Sequence, residues 1–212
     1  MGTVFFTTGT VGITDILLII LAYFLGNISP ATLLARAVGK DIKKEGSGNA
    51  GTTNVLRVLG KKAALITLIV DIGKGFLAVK IGFAFAVPEA AMFCALAAFI
   101  GHIWPIMFKF KGGKGVAVAF GAILGVNWQL ALLALLVVVV VVALTRMVSL
   151  GSITAAASFP VFAYFMEPDF FYIGIVMAAL LIYAHRGNIK RILKGEESRL
   201  SFGKRADEKA DK

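Results

Sequence analysis

Seven stretches of the chain are almost wholly apolar, and the polar residues gather between them. They cover about residues 13–37, 63–87, 90–108, 116–126, 128–144, 150–165 and 170–184. Most approach the roughly 20 residues that carry a helix across a bilayer. Pro30 is expected to kink the first stretch near its cytoplasmic end, and Pro105 interrupts the third. The fourth is short and suits a tilted or half-buried element. Six consecutive valines, Val137 to Val142, would suggest a strand in water. In an apolar run this long they are read as helix, because lipid demands that backbone groups pair within their own segment. The alternating ten-residue segments of a membrane barrel are not in the pattern. The pattern therefore predicts an all-α integral membrane protein with seven transmembrane helices.

The charges orient those helices. Lys40, Lys43, Lys44, Arg57, Lys61 and Lys62 lie between the first two stretches, Lys109, Lys111 and Lys114 between the third and fourth, and Arg146 between the fifth and sixth. Arg186, Lys190, Arg191 and Lys194 follow the seventh, while the intervening connections carry no Lys or Arg. Positive charge concentrates on the cytoplasmic side, which places the N-terminus outside and the C-terminus inside. Composition agrees with a membrane protein: 58% hydrophobic and only 16% charged residues, where a soluble domain carries about a quarter. Net charge is +10. Spread between apolar segments, that excess suits membrane headgroups or phosphorylated substrates, and no nucleic-acid partner is expected. The first basic residue is Arg36, so the first stretch is read as a retained helix and not a cleaved signal. One polytopic domain over residues 1–195 is expected, followed by a polar tail, 196–212, disordered or lying on the membrane surface. Oligomeric state is left open and fits a monomer.

Four constellations on the basic side carry candidate chemistry. In the first, Gly46 to Asn54 is an unbroken run of small and polar residues followed by Arg57. Glycines let a backbone approach a ligand closely, successive N–H groups form an anion nest, and Arg57 adds a bidentate clamp. Ser47, Gly48, Asn49, Gly51, Thr53, Asn54 and Arg57 are the candidate ligands, against a rival reading as a capped interfacial loop. In the second, Gly112, Gly113, Lys114 and Gly115 lead into a helix whose N-terminus can hold an anion. It is no Walker A loop, since Gly115 stands where the Mg-binding hydroxyl would be. The third offers Ser149 and Ser152, as helix caps or substrate contacts. In the fourth, His185 and Asn188 share a helix face. Inside the second stretch Asp71 and Lys74, at i and i+3, are expected to form a structural ion pair. Lys80 lies on the opposite face.

Some chemistries are disfavoured. Two histidines and the single Cys94 make zinc or haem sites improbable, so no metal or cofactor is expected. There is no Gly-x-Ser-x-Gly elbow, and Met107 stands five residues after His102, so the His-x4-Asp acyltransferase signature is missing.

Taken in order, these motifs resemble a known family. Gly46-Ser-Gly-Asn-Ala-Gly-Thr-Thr-Asn-Val-Leu-Arg57, Asp71-Ile-Gly-Lys-Gly75, Gly101-His-Ile-Trp-Pro105, Phe110-Lys-Gly-Gly-Lys-Gly-Val116, Ser149-Leu150 and His185-Arg-Gly-Asn-Ile189 are similar to the signatures of the bacterial acyl-phosphate:glycerol-3-phosphate acyltransferases, the PlsY family. The resemblance spans about residues 13–203. Ala50 and Val118 depart from it, where proline and threonine are more usual. The resemblance implies a multi-pass enzyme of the bacterial cytoplasmic membrane with its active site facing the cytoplasm. It implies transfer of a fatty acyl group from acyl phosphate to the 1-hydroxyl of glycerol 3-phosphate, giving lysophosphatidic acid and phosphate. On that reading the first loop holds the donor phosphate with help from Gly112 and Gly113. Arg57, Lys114, Ser149, His185 and Asn188 are expected to hold glycerol 3-phosphate, with the split of residues between the two phosphates left open. The base stays open among His102, His185 and a substrate phosphate oxygen. The rival class is a transporter or channel for an anionic solute, which would spread polar residues through the depth of the bundle.

Overall fold

The structure, a computed structural model, describes residues 10–200. Among them are nine α-helices and two short 3₁₀ turns, with no strand. Helix α1, Ile13–Asn27, is capped by Asp15, whose carboxylate accepts the Gly12 N–H at 2.8 Å. The chain then breaks at Ile28 and Ser29, and α2 runs Pro30–Ala37. Pro30 thus starts a second helix, where a kink in one helix was expected. Ser29 caps the Thr32 N–H, and a proline at the first position gives up an N–H that has no partner there anyway.

Helix α3, Thr52–Phe85, is the longest at 34 residues and starts well before the expected Ala63. The helix is kinked at Gly60, whose φ of 83° is open to glycine without a Cβ clash. Helix α4, Pro88–Ile103, ends at Trp104 and Pro105, where a 3₁₀ turn, Ile106–Phe108, reverses the chain. Helix α5, Val116–Val126, has 11 residues, about 16 Å, roughly half the hydrocarbon thickness. Asn127 caps α6, Trp128–Thr145, and the valine run is helical throughout. Helix α7, Val148–Met166, returns to a second 3₁₀ turn, Pro168–Phe170. Helix α8, Phe171–Ala184, follows, and α9, Arg186–Leu193, is bent 57° from it.

Four units are long and apolar enough to cross a membrane: Ile13–Ala37, Pro88–Phe108, Trp128–Thr145 and Val148–Met166. The bent α8–α9 pair counts as a fifth if the two are taken as one broken span. Leu65 and Ile69 of α3, Leu136 and Val139 of α6 and Phe165 of α7 are exposed, an apolar belt suited to lipid and not to water. The molecule is a multi-pass helical membrane protein.

Small residues let the helices approach. A Cβ on Gly26 or Gly101 would run into the Ala98 or Tyr23 carbonyl across the α1–α4 contact, the close packing that holds helices together without a hydrophobic driving force. Helix α3 packs on α5 and α4, α6 on α7, and α7 on α8. Their shared core contains Phe99, Leu130, Phe159, Phe170 and Met177. At the end opposite the basic loops, Asp15 accepts the Val87 N–H at 3.0 Å and Asn127 donates to Glu167 at 3.1 Å, tying α1 to α4 and α6 to α7.

Candidate active site

The first glycine-rich loop is held by one side chain. Asn54 is buried in the first turn of α3, and its Oδ1 accepts the Ser47 N–H at 2.8 Å. Its Nδ2 donates back to the carbonyls of Glu45, at 3.0 Å, and Ile42, at 3.3 Å. Thr53, Asn54 and Arg57 therefore stand on a helix, where a loop was expected through Asn54. Gly51 caps that helix without a side chain, so its leading N–H groups open towards the loop.

The second loop docks against the first. Lys43 donates to the Gly112 carbonyl at 2.5 Å. Gly113 sits so close to the Ala50 carbonyl and the His102 ring that a Cβ would overlap both. The Gly112 and Gly113 amides are occupied, donating to the Ile103 and His102 carbonyls at 3.0 and 3.1 Å. Burial lowers the Lys43 pKa to about 8, with Asp41 opposing and Lys111 adding to the fall.

Beneath these loops lies a buried charged cluster. Lys74 Nζ is 2.7 Å from Asp71 Oδ1, 2.9 Å from His102 Nδ1 and 2.5 Å from the Ile28 carbonyl, so the pair expected within one helix ties α3 to α4 and to the break after α1. All three side chains are at most 6% exposed.

The third and fourth constellations meet beside Lys114, which donates to Asn188 Oδ1. Asn188 Nδ2 and Ser149 Oγ donate to Glu197 Oε1, at 2.6 and 2.7 Å, and Arg191 Nε donates to Oε2 at 2.7 Å. Leu200 N–H donates to the Arg146 carbonyl at 2.7 Å, holding residues 197–200 over the start of α7. Burial raises the Glu197 pKa, but the hydrogen bonds from Ser149, Asn188 and Arg191 outweigh it and hold the carboxyl below its usual value. Lys114 falls to about 8, chiefly by burial, with Arg191 and Arg57 adding to the fall against Glu197. His185 Nδ1 faces the Leu181 carbonyl at 2.9 Å; a carbonyl only accepts, so this nitrogen carries the proton and Nε2 is the acceptor. Burial holds the His185 pKa at about 4, so the ring is neutral at pH 7.

These groups line one end of a cavity of about 1000 Å³. Ser47, Asn49, Gly51, Thr53, Asn54, Arg57, Asp71, His102, Lys114, Ser149, Ser152, His185 and Asn188 all reach it, joining loops far apart in sequence. Gly48, Lys74, Gly112 and Gly113 do not line it, and the last two border a smaller cleft instead. Thr52, Arg191 and Glu197 are among the lining residues that escaped the sequence reading. Thr52 Oγ1 is buried with no partner among the described residues. Arg191 had been read as a topology anchor, and Glu197 lies in the polar tail, where only folding back reveals it. The first turns of α3 and α5 both open into this end, adding two helix N-termini to the cations. The other end is apolar, walled by Phe120, Ile123, Val138, Ala156, Phe159 and Met177. Among the described residues, no three His, Cys, Asp or Glu side chains are grouped to hold a metal ion.

The family model described as glycerol-3-phosphate acyltransferase matches residues 16–195. A glycerol-3-phosphate acyltransferase of Methylococcus capsulatus is 46% identical over 189 residues, 87% of this chain and 95% of that one. One of Laribacter hongkongensis is 44% identical over 201 residues, covering 91% and 100%. Two crystal structures of PlsY, an integral membrane glycerol 3-phosphate acyltransferase, share the fold at 39% identity. The glycerol 3-phosphate form has a TM-score of 0.84 and covers 88% of this chain and 96% of that one. The lysophosphatidic acid form gives 0.82, with 88% and 95%. On this agreement of sequence, fold and motif, the chain belongs to the glycerol-3-phosphate acyltransferase family.

Proposed function

We propose that this protein transfers a fatty acyl group from acyl phosphate to the 1-hydroxyl of glycerol 3-phosphate, releasing lysophosphatidic acid and phosphate. The observation that carries this reading is the shape of one cavity, cationic at one end and apolar at the other. A polar phosphate ester and an acyl chain need those two environments side by side. An anion path would need polar groups through the depth of the bundle, and the apolar half argues against it.

In this reading the donor phosphate lies on Ser47, Asn49 and the leading amides of α3 and α5, with the unpartnered Thr52 hydroxyl as a further donor. Glycerol 3-phosphate binds through Lys114, Arg57, Asn188 and Ser149, with Ser152 at the rim and Arg191 oriented by Glu197. Acyl phosphate is a mixed anhydride with a good leaving group, so no covalent enzyme intermediate is needed. The hydroxyl oxygen attacks the acyl carbon, the carbonyl oxygen takes up charge facing backbone N–H groups, and the C–O bond to phosphate breaks. His185 Nε2 accepts the hydrogen bond of the attacking hydroxyl. With a pKa of about 4 it orients this group more than it removes the proton, and the departing phosphate is the stronger acceptor. His102 turns Nδ1 into the Lys74 pair and supports Gly113, which suits a positioning role. Gly113 lets the second loop pack on Ala50 of the first, Gly112 lets it close on the end of α4, Gly48 lets the first loop close on the Lys43 carbonyl, and Asp71 with Lys74 fastens the helices below them.

The chain crosses the bacterial cytoplasmic membrane seven times in this reading, with α3 and the short α5 completing the count. The N-terminus is outside, and the basic loops and C-terminus are cytoplasmic. One domain ends near residue 195, with the polar tail contributing Glu197. The test is to mix detergent-purified protein with acyl phosphate and glycerol 3-phosphate and assay lysophosphatidic acid. Product is expected with no sealed compartment; its absence from folded protein would overturn the assignment.

A further inference from the structure

We propose that Phe159 is the floor of the acyl-binding cavity and sets the chain length this protein prefers. This rests on the acyltransferase reading, because it assigns the apolar end of the same cavity to the acyl chain.

Helix α7 enters the cavity with Ser149 and Ser152, continues with Ala155 and Ala156, and leaves it at Phe159. Beyond that level Ala163 is fully buried in the core. Helix α8 follows the same course from His185 through Leu181 and Ala178 to Met177. Its next inward residue, Gly174, abuts Phe159 instead of the cavity. Both helices therefore lose the cavity at one depth. Along α7 the passage is bordered by Ala155 and Ala156 and ends at the Phe159 ring.

That ring is fixed. Phe159 is 5% exposed and meets the fully buried Phe170 edge-to-face, with centroids 6.2 Å apart and planes at 89°. On another side, a Cβ at Gly174 would stand 2.7 Å from Phe159 Cε1. A ring held on two sides does not swing away to admit a longer chain. From Ser149 to Phe159 the helix rise gives about 15 Å. An extended chain built of C–C bonds of about 1.5 Å advances roughly 1.3 Å per carbon, so about twelve carbons fit before the ring is met.

The test uses the full-length protein in detergent, saturating glycerol 3-phosphate and acyl phosphates of about eight to eighteen carbons. It reads the ratio of kcat/KM for a long chain over a short one. A ratio taken within one protein cancels any loss of folded material. Phe159→Ala is expected to raise this ratio at least fivefold, since each further methylene taken out of solvent adds binding. Phe159→Leu should give a smaller rise and stands in if the alanine variant does not fold. Ala156→Phe should lower the ratio about as much. Gly174→Ala, outside the cavity, should also lower it by pressing the ring inward. An unchanged ratio in the Phe159 and Ala156 variants would show that the chain leaves between α3 and α6 before reaching the ring, and would overturn the proposal. Failure of the wild-type protein to acylate with any chain length would instead overturn the acyltransferase reading.

Discussion

Two charged clusters lie close together in this protein and do opposite things with their charge. Asp71, Lys74 and His102 direct their contacts at one another and at the Ile28 carbonyl and are at most 6% exposed, although Asp71 and His102 border the cavity. Lys114, Asn188, Arg191, Ser149 and Glu197 also bond to one another, but they face a cavity, and with Arg57 the cations outnumber the single carboxylate. Charge within an apolar bundle is costly unless it is matched. The closed cluster is matched and fastens helices. The open one keeps an excess of positive charge, which an anionic substrate completes.

The comparison predicts that damage to the two clusters will register in different measurements. The largest effect is expected from Lys74→Met, which strands a buried carboxylate. It should cost about 3–5 kcal/mol of stability, seen as a lower melting temperature in detergent, and adding Asp71→Asn should restore much of it. Next comes Lys114→Met, which removes a charged phosphate contact. We expect about a 100-fold loss in kcat/KM for glycerol 3-phosphate, with little change in melting temperature. Should the two variants behave alike, the distinction between the clusters is lost. Glu197→Ala releases Ser149, Asn188 and Arg191 together and should raise KM for glycerol 3-phosphate about tenfold, with a smaller change in kcat.

The smallest effect is one of pH. With a pKa of about 8, Lys114 is cationic below pH 8 and loses its charge above it, so kcat/KM for glycerol 3-phosphate should fall on the alkaline side. Lys114→Arg should move that fall to much higher pH, because a guanidinium stays charged. His185, held at about 4, should add no inflection between pH 6 and 7.

Much of this was legible along the chain, and the rest was hidden for identifiable reasons. Apolar runs marked α4 to α8 well, because lipid leaves helix as the only way to pair their backbones. The start of α3 was missed because Thr52, Thr53 and Asn54 are poor helix residues that read as loop. Only the folded chain shows Gly51 as a cap and Asn54 turned back onto the loop. Pro30 marked the place of the irregularity but read as a kink, not as the start of a new helix capped by Ser29. The Asp71 and Lys74 spacing announced their meeting, whereas His102, on another helix, carried no local sign of joining them. Arg191 and Glu197 were invisible as site residues because only the bend into α9 and the fold-back of residues 197–200 bring them to the cavity.

The account depends on loops far apart in sequence gathering on one face of the membrane. In a Cys94→Ala background, single cysteines at the exposed positions Lys44, Lys111 and Arg186 can be labelled with a membrane-impermeant thiol reagent in right-side-out and in inverted vesicles. All three should react in inverted vesicles and stay silent in right-side-out ones. Labelling of any two from opposite faces would contradict a common site.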